Sequence, residues 1–280
     1  MSSPSEVVTP ALLREWGLPD PGDSKKSRGR VIVVGGSRRA PGAVLLAGEA
    51  ALRVGAGRLG LVAPRSIAGQ LGVVIPEAAV FALPADADDA FDDVVVTELQ
   101  SADAVLLGPG FDDADETRAT LLQVVSIGVR CLVLDAFALG VLSDIPRSEL
   151  PDALILNPNK EEAAILLGRD LGDDPVADAS EIARRFDAVV NCYGTVATPQ
   201  AQAWRMEVGG PGLGTSGSGD VLAGAIAGFA ARGSEPARAA VWGSWTHARA
   251  GDRLTARAGI GFFAREIATE LTGTLAETIG

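Results

Sequence analysis

Residues Gly210–Gly228 read GPGLGTSGSGDVLAGAIAG, a glycine-rich run that ends in an acid and passes directly into a small-residue helix. Gly217, Ser218 and Gly219 carry no bulk, so their backbone N–H groups are able to crowd around an oxyanion. The helix expected from Asp220 adds the positive end of its dipole to the same place. A plain anion site would not welcome a carboxylate there, because Asp220 repels phosphate. An acid beside a phosphate cradle makes sense where a hydroxyl must lose its proton as it receives a phosphoryl group. The chemistry indicated is phosphoryl transfer, with Asp220 as the base.

The plainer alternative is a glycine-rich turn in which Asp220 only caps the helix. The glycines, however, extend upstream through Gly209, Gly210, Gly212 and Gly214, more than a cap requires. Gly212–Gly217 and Gly55–Gly60 also fit the dinucleotide pattern G-x-G-x-x-G. Neither lies in the first strand-to-helix turn of the chain, where that fingerprint belongs, and both are read as chance matches.

The elements that must position such a site alternate. Apolar β-branched runs stopped by glycine or an acid, VIVVGG from Val31, 58–63, 104–107, 131–134, 154–156 and 188–192, read as strands buried on both faces, with 203–206 a further candidate. Helices are expected over 43–54, 117–126, 161–167, 220–232, 235–254 and near 263–271. That order predicts an α/β fold with a mostly parallel central sheet covered by helices on both faces. Ligands of such sheets sit at the carboxyl ends of the strands. Gly35–Ser37, Gly108–Gly110, Asp135, Asn157–Glu162 and Asn191–Thr195 all fall there. Residues 1–29 are expected to form an arm with a short helix at Pro10–Trp16, Trp16 anchoring it, and 30–280 a single domain. The acidic stretch Asp86–Asp93 reads as solvated surface.

Composition narrows the classes. The chain has 280 residues, 47% hydrophobic and 21% charged, which suits a globular protein with a generous core. A formal net charge of -12 argues against nucleic acid or an anionic membrane as partner. Cys131 and Cys192 lie in apolar strands without metal spacing and read as free thiols in a reducing compartment. No apolar run approaches a membrane span and no signal-peptide core is visible, so a cytoplasmic location is expected. The single histidine, His247, falls within a helix and reads as structural.

The succession NPNKEE at 157–162 and the later GSGD resembles the ribokinase-like superfamily, whose fold is a three-layer sandwich. Within it the chain is similar to the ADP/ATP-dependent NAD(P)H-hydrate dehydratases. The stretches TPALLREWGLPDPG, RGRVIVVGGSRRAPGAVLLAGEAALRVGAGRLGLVAP, LGPGF, LVLDAFAL, GPGLGTSGSGDVLAGAIAG and HARAGD fall in family order and span nearly the whole chain. The resemblance implies that Ala43, Gly110, Asn159 and Asp220 meet the hydrated nicotinamide dinucleotide, NADHX or NADPHX. It implies that Asn191, Cys192, Tyr193, Gly194 and Thr195, with Gly217, Ser218 and Gly219, border ADP or ATP. Magnesium would be organised indirectly by Glu162, which by itself reads as an ordinary exposed helix acid. The family reaction phosphorylates the ring hydroxyl and then expels phosphate. A homo-oligomer, a tetramer by resemblance, and an epimerase on a separate chain are further expectations.

Departures from the family pattern concentrate at the strand ends. LDADAL stands here as LDAFAL, TPHPGE as NPNKEE and LKGAGT as VNCYGT, so Phe137 replaces an acid, Asn159 a histidine, and Asn191 a lysine. The only lysines are Lys25, Lys26 and Lys160. Arg38, Arg39 and Arg58 are the candidate cations in compensation. Three readings therefore stand at this level: an active dehydratase, a ribokinase-like kinase of a small alcohol, and a nucleotide-binding relative with weakened catalysis.

Overall fold

The computed structural model describes residues 4–87 and 89–280. Residues 1–3 of the expected arm and Asp88 of the acidic stretch lie outside the described residues. Along the chain run β1 (Glu6–Val7), α1 (Pro10–Trp16), β2 (Arg30–Val34), α2 (Gly42–Arg53), β3 (Arg58–Ala63), α3 (Arg65–Val74), β4 (Ala78–Ala82), α4 (Asp93–Gln100), β5 (Ala104–Leu107), α5 (Ala114–Ser126), β6 (Cys131–Leu134) and α6 (Phe137–Val141). There follow β7 (Ala153–Leu156), α7 (Lys160–Leu167), α8 (Pro175–Phe186), β8 (Val189–Cys192), β9 (Thr195–Ala197), β10 (Ala203–Arg205), α9 (Ser218–Ala231), α10 (Pro236–Ala258) and α11 (Ala264–Ile279).

All ten strands join one sheet in the order β1-β10-β9-β8-β7-β6-β5-β2-β3-β4. It is parallel from β4 to β8, and only β9 runs against its neighbours. Successive strand residues alternate between two cores. Val31, Val33, Leu106, Val133 and Ile155 pack toward α1, α2, α9, α10 and α11. Ile32, Val34, Leu107, Leu134 and Leu156 pack toward the layer of α4 to α8. Continuous apolar strands are what burial on both faces demands, and the three-layer expectation holds. Among the described residues no helix is long and apolar enough to cross a membrane.

Four helices and three strands exceed the sequence reading: α3, α4, α6 and α8, and β1, β4 and β9. The helix α8 was legible, since Asp174 caps it, Pro175 opens it, and Val176, Ala179, Ile182 and Ala183 form its buried stripe. The acidic stretch is exposed where it is described, at Asp86, Asp89, Asp92 and Asp93, and its last residue starts α4. Near the N-terminus, β1 pairs with β10, Leu13 of α1 is fully buried, and Trp16 meets the Trp204 ring edge-on at 5.6 Å.

Glycine lets α9 lie directly on α2. A Cβ at Gly224 would collide with the Ala47 carbonyl oxygen, and one at Gly228 would come within 2.8 Å of the Ala51 Cα. This close approach fixes where the first turn of α9 emerges above the strand ends.

Candidate functional site

The chain leaves β2 for β3 on one side and later returns to place β5 on the other, so the sheet changes direction between β2 and β5. In such folds the crevice at that point takes the ligand. Here the glycine turns after the two strands cross, with the Gly36 N–H donating to the Pro109 carbonyl at 2.8 Å. Gly110 adopts φ 78, and a Cβ there would lie 2.8 Å from the Ala43 Cβ. Ala43 and Gly110 are thus immediate neighbours. One turn along α2, Leu46 fills the space beside Gly217, which brings the glycine turn at 217–220 to the same place.

Gly217 sits at φ 88 just before α9. The Ser218 N–H is already bonded to the Thr215 carbonyl at 3.1 Å, and the Ser218 hydroxyl lies 3.0 Å from His247 Nε2. Both polar groups of Ser218 therefore point inward. The N–H groups of Gly219 and Asp220, by contrast, make no hydrogen bond within the described residues. As first-turn donors they are left for an anion. Burial pushes the Asp220 carboxyl up to about 6, which suits a base working near neutrality.

A buried polar chain runs beneath this turn. Ser244 Oγ donates to Asn191 Oδ1 at 2.6 Å, Asn191 Nδ2 to Asn157 Oδ1 at 2.6 Å, and Asn157 Nδ2 to Asp135 Oδ1 at 2.8 Å. Every donor points toward Asp135. Burial first, and then repulsion from Glu162 and Asp220, hold that carboxyl well above the usual carboxylate range, against the hydrogen bond from Asn157. Asp135 therefore lies within electrostatic reach of both Glu162 and Asp220. Sequence reasoning placed Asp135 and Asn157 at strand ends but did not foresee this chain, or Ser244 in it.

The segment 191–195 divides. Asn191, Cys192 and Thr195 are buried, and only the turn residues Tyr193 and Gly194 reach the surface. Both have positive φ, 49 and 78, as a two-residue hairpin between antiparallel strands requires. The Lys160 ammonium lies 4.3 Å from the centre of the Tyr193 ring. Cys131 and Cys192 are free, and burial pushes their thiols up to about 12 and about 11.

Asn159 and Glu162 form a capping box on α7, each accepting the other's backbone N–H at 2.9 Å. Burial raises Glu162 above its ordinary value, against that N–H from Asn159. Phe137 begins α6 half-exposed, after Ala136 at φ 51 and ψ -128, a strained backbone for an L-residue. Of the candidate cations, Arg58 is at the wrong end: it starts β3 opposite Arg30, at the amino edge of the sheet. Arg39 is on the site's side, 87% exposed and 3.7 Å from Asp112.

The NAD(P)H-hydrate dehydratase family model matches residues 31–273. The chain belongs to this family. It is 43% identical to the ADP-dependent (S)-NAD(P)H-hydrate dehydratase of Xanthomonas campestris pv. campestris, over 96% of each chain. It is 34% identical to the bifunctional NAD(P)H-hydrate repair enzyme Nnr of Moorella thermoacetica, over 82% of this chain and 46% of that protein. In shape it is similar to the ADP/ATP-dependent NAD(P)H-hydrate dehydratase of Bacillus subtilis co-crystallised with ATP/Mg2+, at TM-score 0.85 and 24% identity over 98% of this chain and 99% of that one. The fold is ribokinase-like.

Proposed function

We propose that this member of the family restores hydrated NADH or NADPH to the intact dihydronicotinamide, using ADP or ATP. The observation that carries the reading is the head of α9, where a half-buried carboxyl and two unbonded N–H groups share one turn above the strand ends. The phosphates of the nucleotide lie against the N–H groups of Gly219 and Asp220, with Tyr193 and Gly194 toward its base. The dinucleotide enters between Ala43 and Gly110, with Asn159 at its rim.

Asp220 takes the proton of the ring hydroxyl, whose oxygen attacks the terminal phosphorus. The new O–P bond forms as the bond to the nucleotide breaks, leaving AMP from ADP or ADP from ATP. The ring nitrogen's lone pair then expels phosphate, the adjacent carbon gives up a proton, and the double bond returns. Phosphorylation converts hydroxide, a poor leaving group, into a good one.

Magnesium fits this donor set when carried by the nucleotide. Glu162 and Asp220 both raise the Asp135 carboxyl by their charge, and a divalent cation on the phosphates would relieve that repulsion. Among the described residues no three ligands gather to hold a metal unaided. Glu162 would hold the ion, through water, and the ion would neutralise phosphate charge.

We take residues 30–280 as one catalytic domain and 1–29 as its arm, docked where it is described at 4–29, acting in the cytoplasm, where two unpaired thiols are at home. Exposed Val73, Val74, Ile260 and Phe263 favour self-association, and we propose a homo-oligomer, a tetramer, served by an epimerase on a separate chain. The deciding experiment supplies hydrated NADH with ADP and magnesium and follows the dihydronicotinamide absorbance. Its return in step with AMP and phosphate supports the reading. No return, with phosphorylation of a small alcohol instead, defeats it.

A further inference from the structure

The chemistry above makes no use of His247, the only histidine in the chain. It lies buried on α10, its Nε2 3.0 Å from Ser218 Oγ. Burial pushes the imidazole down to about 4. The ring is therefore neutral near pH 7, with one nitrogen a donor and the other an acceptor.

Helices α9 and α10 do not need this contact in order to pack. Gly243 already sits against the Ile226 backbone, and the Phe229 and Trp242 rings meet at 5.8 Å. The contact instead holds the one part of α9 that its own ladder leaves loose, since first-turn N–H groups have no partner within the helix. Ser218 follows the left-handed Gly217 and opens α9 ahead of Gly219. Its hydroxyl is on His247 and its N–H on Thr215, while the next two N–H groups have no hydrogen-bond partner among the described residues.

We propose that His247 is a positioning residue for the anion turn. Acting through Ser218, it sets the direction in which the Gly219 and Asp220 N–H groups and the Asp220 carboxyl face a nucleotide phosphate. The identity of the anion rests on the functional reading above; the orientation of the turn does not.

Hydrogen exchange and ADP calorimetry on full-length protein test this with His247→Leu, His247→Gln, Ser218→Ala and the double variant Ser218→Ala/His247→Leu. The reporters are the amides of Ser218 and Val221, bonded to the Thr215 and Gly217 carbonyls. In His247→Leu their exchange should quicken about tenfold while the amides of Ala223–Ala231 and of α10 keep their protection. Affinity for magnesium ADP should fall about tenfold. His247→Gln, which places an amide near Nε2, should keep both close to wild type, and the double variant should be no worse than Ser218→Ala. Unchanged exchange at the turn in His247→Leu, or an equal increase throughout α9 and α10, overturns the proposal. A wild-type protein that binds no ADP would count against the functional reading, while the exchange result would still decide the role of His247.

Discussion

Asn191 donates its side-chain amide to the Asn157 oxygen across 2.6 Å, linking the ends of two adjacent parallel strands one position beyond the paired Leu156 and Val190. Asn191 is only 1% exposed, so the residue that stands in place of the family's lysine is part of the interior. Asn191→Leu should therefore act as a buried polar deletion. It leaves the Asn157 oxygen and the Ser244 hydroxyl without their partners, at about 1–3 kcal/mol each. Thermal denaturation should show a Tm lower by several degrees. An unchanged Tm would mean that the chain from Ser244 to Asp135 contributes nothing.

Asp220→Asn should cost about a hundred- to ten-thousand-fold in turnover, the range for loss of a general base. Because burial pushes Asp220 up to about 6, kcat/KM should fall as the pH drops through about 6 in the wild type. The same shift has the opposite sense for stability. The folded state holds the proton more tightly than the unfolded one, so the charged form is penalised above about 6 and the penalty fades as the pH falls toward the ordinary carboxyl value of 3.8. Asp220→Asn should accordingly raise Tm at pH 8 and leave it nearly unchanged at pH 4. Lower stability at pH 8 would show that the carboxylate has a structural partner.

Gly219→Val should abolish or greatly weaken ADP binding without changing the Tm of the free protein. A Cβ at this position would meet nothing within 4 Å, so only a ligand has reason to resent it. Calorimetry that finds wild-type affinity would move the phosphate away from this turn.

Gly224→Ala should destabilise through overpacking, by about 1–3 kcal/mol, because its new methyl meets the Ala47 carbonyl in α2. Gly69→Ala, within α3 and with nothing in 4 Å, should instead stabilise by about 0.5–1 kcal/mol. Denaturant titration of the pair compares close helix contact with plain helix propensity. Equal effects would remove the argument that Gly224 seats α9.

Much of this arrangement could be read from the residues. The runs at 31–34, 104–107, 131–134 and 154–156 could only be strands with two buried faces, and each ends in glycine, Asp135 or Asn157. The turn at 217–220 was legible because glycines outnumbered the needs of a cap. The inward direction of Ser218 was not, since it depends on His247 arriving from a helix twenty-nine residues further on. Nor was the burial of Asn191, which the sequence offered only as a residue bordering the nucleotide: its hydrogen bonds to Asn157 and Ser244 depend on strand register and on the approach of α10. The helices α3 and α4 were missed because polar residues and glycines interrupt their short apolar stripes, and β4 because AAVFA is short and mostly alanine, a poor strand signal.

The pairing of β1 with β10 has a consequence for biosynthesis. Glu6 receives the indole N–H of Trp204 at 3.1 Å, across 198 positions of sequence. A growing polypeptide makes β1 long before β10 leaves the ribosome, so this margin of the sheet closes late. Until then Val8 and Leu13, both buried in the finished molecule, have no permanent neighbours, and contacts so distant in sequence form slowly. The nascent chain must carry that apolar segment uncovered through most of its own translation, and unpaired apolar segments of this kind are where a growing chain needs shelter.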